Sequence, residues 1–375
     1  MAIKKSNLKI DRGLLFIVLA LLAYGLVVLY SASTVDSFAD FGNTNHYIIH
    51  QALYGGGLGL IGLFVCSKID YHYWQKYLPP LIFISLLLLL LVKIPGLGVS
   101  ASGADRWIHF GPISFQPAEL SKLVVIFYLA SWVDKKRGEF HDFYYGLLPS
   151  LCIIGLFAGL ILWQPDFGTM LVLLLVAFFI LFVGGIPWKY FFYSGFFGTL
   201  SLYLFIKIEP YRVKRLATFF NPSLDPKGIS YQINQALLAI GSGGWFGFGY
   251  GLSRQKHKYL PEVMNDSIFA VFGEELGFIR VMVAILLFAS FAVRGFQIAK
   301  NAPDNFGRLV AVGITSWITL QALINIAAII NLLPLTGIPL PFFSYGSTAL
   351  IANLSAVGIL LNISRYSHRG SLKNL

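Results

Sequence analysis

Residues 259–280 read YLPEVMNDSIFAVFGEELGFIR and hold Glu262, Asp266, Glu274, Glu275 and Arg280 where turn chemistry gives way to an apolar run. Two other stretches bring charge into apolar surroundings: RWIHFGPISFQPAELSK with Arg106, Glu119 and Lys122, and WQPDFGT with Asp166. A carboxylate within hydrogen-bond reach can take a proton from a hydroxyl, whose own pKa lies far above neutrality. Cations nearby can offset charge that develops on a leaving group. Charge held in a bilayer core is costly unless paired or hydrated, so residues of this kind inside membrane spans are read first as functional.

The chain that must position these residues is membrane-bound by composition. Its 375 residues are 57% hydrophobic and 12% charged, and mean hydropathy is +0.72. A soluble domain carries about twice that charge. Apolar windows long enough to cross a core of about 30 Å recur along the chain. Ten spans are expected, at 13–33, 46–66, 78–95, 116–133, 146–163, 168–185, 188–207, 266–294, 308–332 and 345–363. An α-helix satisfies its own backbone in lipid, and the alternation of a β-barrel is missing, so the expected class is an all-α integral membrane protein. The whole chain, 1–375, reads as one polytopic domain, with the long loop 208–265 between spans seven and eight. The first span is too long and too poorly terminated for a cleaved signal peptide, and is expected to be retained. Cys66 and Cys152 fall within spans and are expected as small buried hydrophobes. The absence of CxxC, HExxH and histidine clusters argues against zinc, haem and iron–sulfur sites, and no nucleic-acid module is visible.

The net charge of +11 has a topological reading. Lys4, Lys5, Lys9 and Arg12 precede the first span, Lys135, Lys136 and Arg137 lie in the 134–145 loop, and Arg365, Arg369 and Lys373 lie in the tail. The loops 34–45, 164–167 and 333–344 have no Lys or Arg. Both termini are therefore expected in the cytoplasm and 208–265 outside. That loop holds Arg212, Arg215 and other basic residues, which suits an anionic ligand such as a lipid-linked phosphate as well as it suits a solvated face. Short helices lying against the membrane surface are expected in it.

On this topology Arg106, Glu119, Lys122, Asp166, Glu262 and Asp266 share the outer face. Glu119 and Lys122, three apart, are neighbours on one helix and form either a self-neutralising pair or a cavity wall. Asp166 follows Pro165 and is a cap or a site residue. Asp266 starts its helix as a cap for Phe269, unless Asn265 takes that role and frees it. Gly273 and Gly277 then lie beneath Asp266 on one stripe and let a neighbour approach. Glu274 and Glu275 are read as structural, paired with polar groups of other elements, and Arg280 needs a partner that spacing does not identify.

These segments, with YRVKRLATFFNPSLDPKG, YQINQALLAIGSGG and LPLTGIPLPFFSYG, resemble the SEDS family (shape, elongation, division and sporulation) over nearly the whole chain, and SRQKHKYLPE and GEELGF look more like FtsW than RodA. Three positions depart from the family pattern: SYGST has one glycine fewer than usual, Arg280 replaces a glycine, and VMN precedes Asp266. The resemblance implies a peptidoglycan glycosyltransferase that polymerises lipid II in the bacterial cell membrane. Its partners would be a class B penicillin-binding protein and other division or elongation membrane proteins. It also implies that Asp266 is the essential acid, that Glu119 and Lys122 are functional, and that Arg106 is the arginine of the family's RWI motif. Arg106, Lys122, Arg212 and Arg215 would offset pyrophosphate charge. A divalent cation, magnesium or manganese, is a conceivable helper that no ligand cluster demands. By physics alone a lipid II flippase or other transporter fits equally well, and a non-catalytic scaffold less well.

Overall fold

The computed structural model describes residues 10–94, 98–101, 104–110, 113–136, 142–193, 195, 198, 219–220, 228 and 230–367. In chain order the main elements are α1 (Arg12–Phe41), α2 (His46–Lys68), the short α3 (His72–Lys76), α4 (Leu78–Leu91), β1 (Gly98–Ala101), β2 (Ala104–Phe110), β3 (Ile113–Phe115), α5 (Pro117–Lys135), α6 (Phe143–Trp163), α7 (Phe167–Val183), α8 (Tyr231–Gly243), α9 (Ile268–Lys300), α10 (Asn305–Ile329) and α11 (Ser347–Ser367). Among the described residues six helices (α1, α2, α6, α9, α10 and α11) are long and apolar enough to cross a membrane, and α4 and α7 are shorter apolar helices. The expected span 188–207 lies mostly outside the described residues, as do Arg212 and Arg215.

Helix starts follow local chemistry. Asp11 accepts from Leu14 N at 2.9 Å and Asp304 from Gly307 N at 2.7 Å, so side-chain carboxylates satisfy orphan amides at the starts of α1 and α10. α5 starts with Pro117, where the missing N–H costs nothing. The centre of the bundle is α10 and α11, whose apolar windows are 78% and 89% buried inside the protein, against 28–39% for the other four long helices. α11 packs along α2, and α10 packs against α5, α7 and α9. Cys66 is buried as expected, but Cys152 is exposed, because α6 presents part of its surface outward.

Two features correct the all-helical expectation. Residues 98–115 form a three-stranded antiparallel sheet in the order β1-β2-β3, with Gly98 opposite Ile108 and Ile108 opposite Phe115. Thr348 Oγ1 donates to Ser114 O at 2.7 Å and ties β3 to α11. The sheet is short and adjoins the α5 N-terminus, where the expected reading had only a connection.

The second correction is in α9, which is not a straight rod. Gly277 has φ 75° and ψ 175° in mid-helix. The Phe343 ring lies 5.7 Å from the Phe272 ring and 6.0 Å from the Phe288 ring. A straight helix would separate those two positions by about 24 Å at 1.5 Å per residue. The stub Ile268–Leu276 is therefore folded back on the main helix at Gly277. The loop that meets them, 331–346, enters the bundle, and Gly25 of α1 has no room for a Cβ against Phe342 O.

Candidate active site

One end of the bundle collects polar side chains from five elements. Near the start of α5, Lys122 Nζ donates to Glu119 Oε1 at 2.8 Å and to Gln321 Oε1 of α10 at 2.9 Å, and lies 4.7 Å from the centre of the Trp317 ring. Glu119 and Lys122 are 1% and 2% exposed, so this ion pair is removed from solvent. Such a pair persists only with further partners. Gln321 and Trp317 supply them, and Trp317 Nε1 in turn donates to Gln321 Oε1 at 2.8 Å. Glu119 Oε2 is buried without a hydrogen-bond partner among the described residues.

One turn along α10 lies Asn325. Its Nδ2 donates to Ile338 O at 2.8 Å and to Asp266 O at 2.9 Å. Gln321 Nε2 donates to the adjacent Pro339 O at 3.0 Å. The carbonyls of Ile338 and Pro339 thus connect the Glu119–Lys122 pair to the backbone of Asp266 through two amide side chains on one face of α10. The 340–346 loop adds a second grip: Ser344 Oγ donates to Asn265 O at 2.5 Å, and Tyr345 N to Met264 O at 2.8 Å.

Asp266 is partly exposed at the mouth of this arrangement. It is not a cap. The helix begins at Ile268 with Ser267 in the cap position, and neither Asp266 nor Asn265 supplies the cap expected of it. The side chain of Ser267 does not cap either: its Oγ accepts from Gln232 Nε2 at 2.9 Å. The same amide nitrogen donates to Asp266 Oδ1 at 3.2 Å. The α8 helix therefore orients the carboxylate from the loop side while Asn325 fixes its main chain from the bundle side.

The deeper charges have partners. Glu274 accepts from Ser253 Oγ at 2.5 Å and Arg254 N at 3.0 Å. Glu275 pairs with Lys256 Nζ at 2.9 Å and accepts from Ser31 Oγ of α1 at 2.8 Å. All four side chains of Glu274, Glu275, Ser253 and Lys256 are buried. The two glutamates hold the 251–256 loop onto α1 and the stub. Arg280 donates to the carbonyls of Phe246 at 2.9 Å and Leu276 at 3.2 Å, at the helix break. Its partner is main chain, which no charge pattern could reveal.

Of the other residues singled out by sequence, Asp166 caps α7, accepting from Thr169 N at 3.1 Å, and its Oδ2 accepts from Gln116 Nε2 at 3.1 Å. Arg106 donates to Gln164 O at 3.1 Å and to Pro165 O, pinning β2 to the α6–α7 turn. Glu262 is exposed, has φ 52°, and accepts from Asn265 Nδ2 at 2.6 Å. Asp166 and Arg106 thus hold the rim of the site, and Glu262 shapes the turn before Asp266. Gln232, Gln321, Asn325 and Trp317 were not anticipated. Neutral amides on an apolar helix face give little signal, although Gln321 and Asn325 recur at the four-residue spacing of one face. Among the described residues no group of three or more His, Cys, Asp or Glu is placed to hold a metal ion.

Comparison with known proteins bears on this geometry. The cell cycle protein family of FtsW, RodA and SpoVE matches residues 12–369. The chain is 42% identical over 357 residues to stage V sporulation protein E of Bacillus subtilis, covering 95% of this chain and 97% of that one. It is 41% identical over 354 residues to the probable peptidoglycan glycosyltransferase FtsW of Trichlorobacter lovleyi, covering 94% and 93%. Its structure is similar to a chain of a peptidoglycan synthase complex studied for coordination of polymerisation and crosslinking (TM-score 0.80, 30% identity, 96% and 99% covered). It is also similar to the rod shape determining protein RodA of Thermus thermophilus (TM-score 0.70, 30% identity, 96% and 98% covered).

Proposed function

The chain belongs to the FtsW, RodA and SpoVE family, and from that premise we propose how this multi-pass membrane protein, a peptidoglycan glycosyltransferase of cell-wall synthesis, does its chemistry. Its relatives make it FtsW-like. The substrate is lipid II. Asp266 withdraws the proton of the 4-hydroxyl of the acceptor N-acetylglucosamine. That oxygen forms a bond to the anomeric carbon of the donor N-acetylmuramic acid. The bond from that carbon to the pyrophosphate oxygen breaks, and its electron pair leaves with undecaprenyl pyrophosphate. The product is a β-1,4 link with inversion, and the proton on Asp266 returns to solvent.

A pyrophosphate is already a good leaving group, so one base and a stabilising field suffice, unlike the paired carboxyls of hydrolytic glycosidases. The observation that carries this reading is the doubly held Asp266: oriented by Gln232, backed by Asn325, and partly open at the outer mouth. Lys122 acts through its field and through the wall it builds with Glu119 and Gln321, since its ammonium is engaged by both. Asp166 and Arg106 keep the rim in register. Direct neutralisation of the pyrophosphate falls to the basic loop, with Arg212 and Arg215 the residues assigned to it. A divalent cation finds no ligand cluster among the described residues.

The protein sits in the bacterial cell membrane with both termini cytoplasmic and the site on the outer side. It works with a class B penicillin-binding protein that crosslinks the strands, and with other membrane proteins of division or elongation. The test is purified protein with labelled lipid II and its cognate partner, scored for polymer in detergent. Polymer there excludes flipping as the activity, because detergent offers no second side. Its absence with a demonstrably folded, partner-bound protein would return the flippase reading.

A further inference from the structure

The glycine cluster after α8 does something that the polymerase reading leaves unexplained. Residues 244–249 dock into the break of α9 chiefly through main chain. Phe248 N and Gly249 N donate to Glu274 O and Glu275 O, both at 3.0 Å, and Phe278 N and Ile279 N donate to Gly244 O and Trp245 O at 2.9 and 3.2 Å. Gly247 and Gly277 touch so closely that neither has space for a Cβ. Amides and carbonyls that a broken helix would leave unsatisfied are thereby paired.

With the backbone turned inward, the side chains point out. Trp245, Phe246, Phe248, Tyr250 and Leu252 are 43–70% exposed, and no residue from 241 to 253 is charged. Phe278 and Ile279 of α9 and Val27 and Tyr30 of α1 extend the same apolar surface, with the Trp245 and Phe278 rings 5.3 Å apart. A water-soluble loop would not present so large a contiguous patch. Its level is fixed by α1. Tyr250 Oη donates to Val27 O at 2.8 Å, and Val27 lies inside the apolar run that ends near residue 33, about 9 Å below that end at 1.5 Å per residue. Arg254 lies 5.4 Å from the centre of the Phe248 ring, a cation at the patch edge. Non-helical backbone at membrane depth is allowed where protein satisfies its polar groups, which is the arrangement found here. Aromatic rings with flanking arginine match the outer part of a leaflet.

We infer that residues 244–252 are a re-entrant segment of the large loop, with its aromatic face seated among the acyl chains of bulk phospholipid. The assignment to the outer leaflet rests on the orientation proposed above; the embedding does not. It revises the expectation that all of 208–265 lies outside the membrane. The partner is the lipid itself, since the exposed groups are apolar apart from Arg254 at the edge and Arg280, whose guanidinium is engaged by the carbonyls of Phe246 and Leu276.

The test uses the full-length protein with Cys66→Ala and Cys152→Ala, reconstituted in phosphatidylethanolamine–phosphatidylglycerol vesicles without lipid II or a partner protein. A nitroxide is placed at Phe246→Cys, and independently at Leu252→Cys should the first disturb folding. Thr44→Cys serves as the aqueous reference and Phe83→Cys as the lipid reference. Collision with oxygen, which concentrates in lipid, is compared with collision with a water-soluble nickel chelate. The expected result is an oxygen-to-nickel ratio within about twofold of that at Phe83→Cys. A ratio like that at Thr44→Cys overturns the inference, placing the segment in water. Low collision with both reagents also overturns it, showing that protein covers the patch. Loss of polymerase activity in any variant does not enter the measurement, so failure of this inference and failure of the catalytic reading are separate outcomes.

Discussion

Asn325 donates from one nitrogen to the main-chain carbonyls of both Asp266 and Ile338, at 2.9 and 2.8 Å, and so joins the start of α9 to the loop that follows α10. The acid of the site is thus held through its backbone as well as its side chain. Replacing Asn325 with Leu strands two carbonyls, at about 1–3 kcal/mol for each buried one left unmade. We expect a lower melting temperature together with a fall in polymer per folded molecule larger than the fall for a Leu substitution at a lipid-facing position of α10. Equal effects would show that the clamp serves stability alone.

Asp266→Asn keeps size and the ability to accept from Gln232, and removes basicity. Because Asp266 does not cap α9, the change spares the helix start. Polymerisation should fall by at least about 10²-fold, the low end for removal of a general base, with expression, thermal stability and partner binding near normal. Most of the specific activity surviving in a labelled lipid II assay would move the base elsewhere.

The Glu119–Lys122 pair should behave as a unit. Either single alanine leaves a buried charge unpaired, at about 3–5 kcal/mol. The swap Glu119→Lys with Lys122→Glu would restore opposite charges but set a carboxylate against Gln321 Oε1 and the Trp317 ring face, which now meet an ammonium. Thermal melting should therefore recover only in part, and activity should stay low. Full rescue of activity by the swap would mark the pair as neutralising only.

Glu274 and Glu275 should separate from Asp266 in kind. Glu275→Ala leaves Lys256 buried without its carboxylate, and Glu274→Ala frees Ser253 and Arg254 N. Both should reduce yield and melting temperature while polymer per folded molecule stays within a few-fold of the parent. A variant of normal stability but lost turnover would contradict that division.

Gly277→Ala combines a φ of 75° with no space for the added carbon against Gly247 and Phe246. Backbone in that region is essentially reserved to glycine, and forcing another residue into it costs about 1–3 kcal/mol before any clash. We expect a marked loss of folded protein by size-exclusion chromatography. A normal yield would show that the joint can relax.

The apolar spans were legible because lipid imposes length and hydrophobicity on each helix separately. Asp266, Glu119 and Lys122 stood out for the same reason, as charges where charge is costly. The sheet at 98–115 was not legible: its strands are short, and the residue that ties β3 to the bundle, Thr348, lies far along the chain. The break in α9 was hidden because a glycine inside an apolar helix reads equally as a packing notch. Its counterpart, the glycine-rich run at 241–251, was visible, but the match between them is a main-chain match that residue types do not encode. The partner of Arg280 and the amides at 232, 321 and 325 were hidden likewise.

The joint at Gly277 sorts the surrounding sequence into what can drift and what cannot. Four backbone bonds in fixed register make the number of residues between Gly244 and Gly249 a rigid quantity, so a one-residue deletion between Trp245 and Phe248 would put one pair of bonds out of register with the other. The side chains of Trp245, Phe246 and Phe248 take no part in those bonds, so any bulky apolar residue serves in their places. Along this segment, related chains should preserve spacing more strictly than spelling.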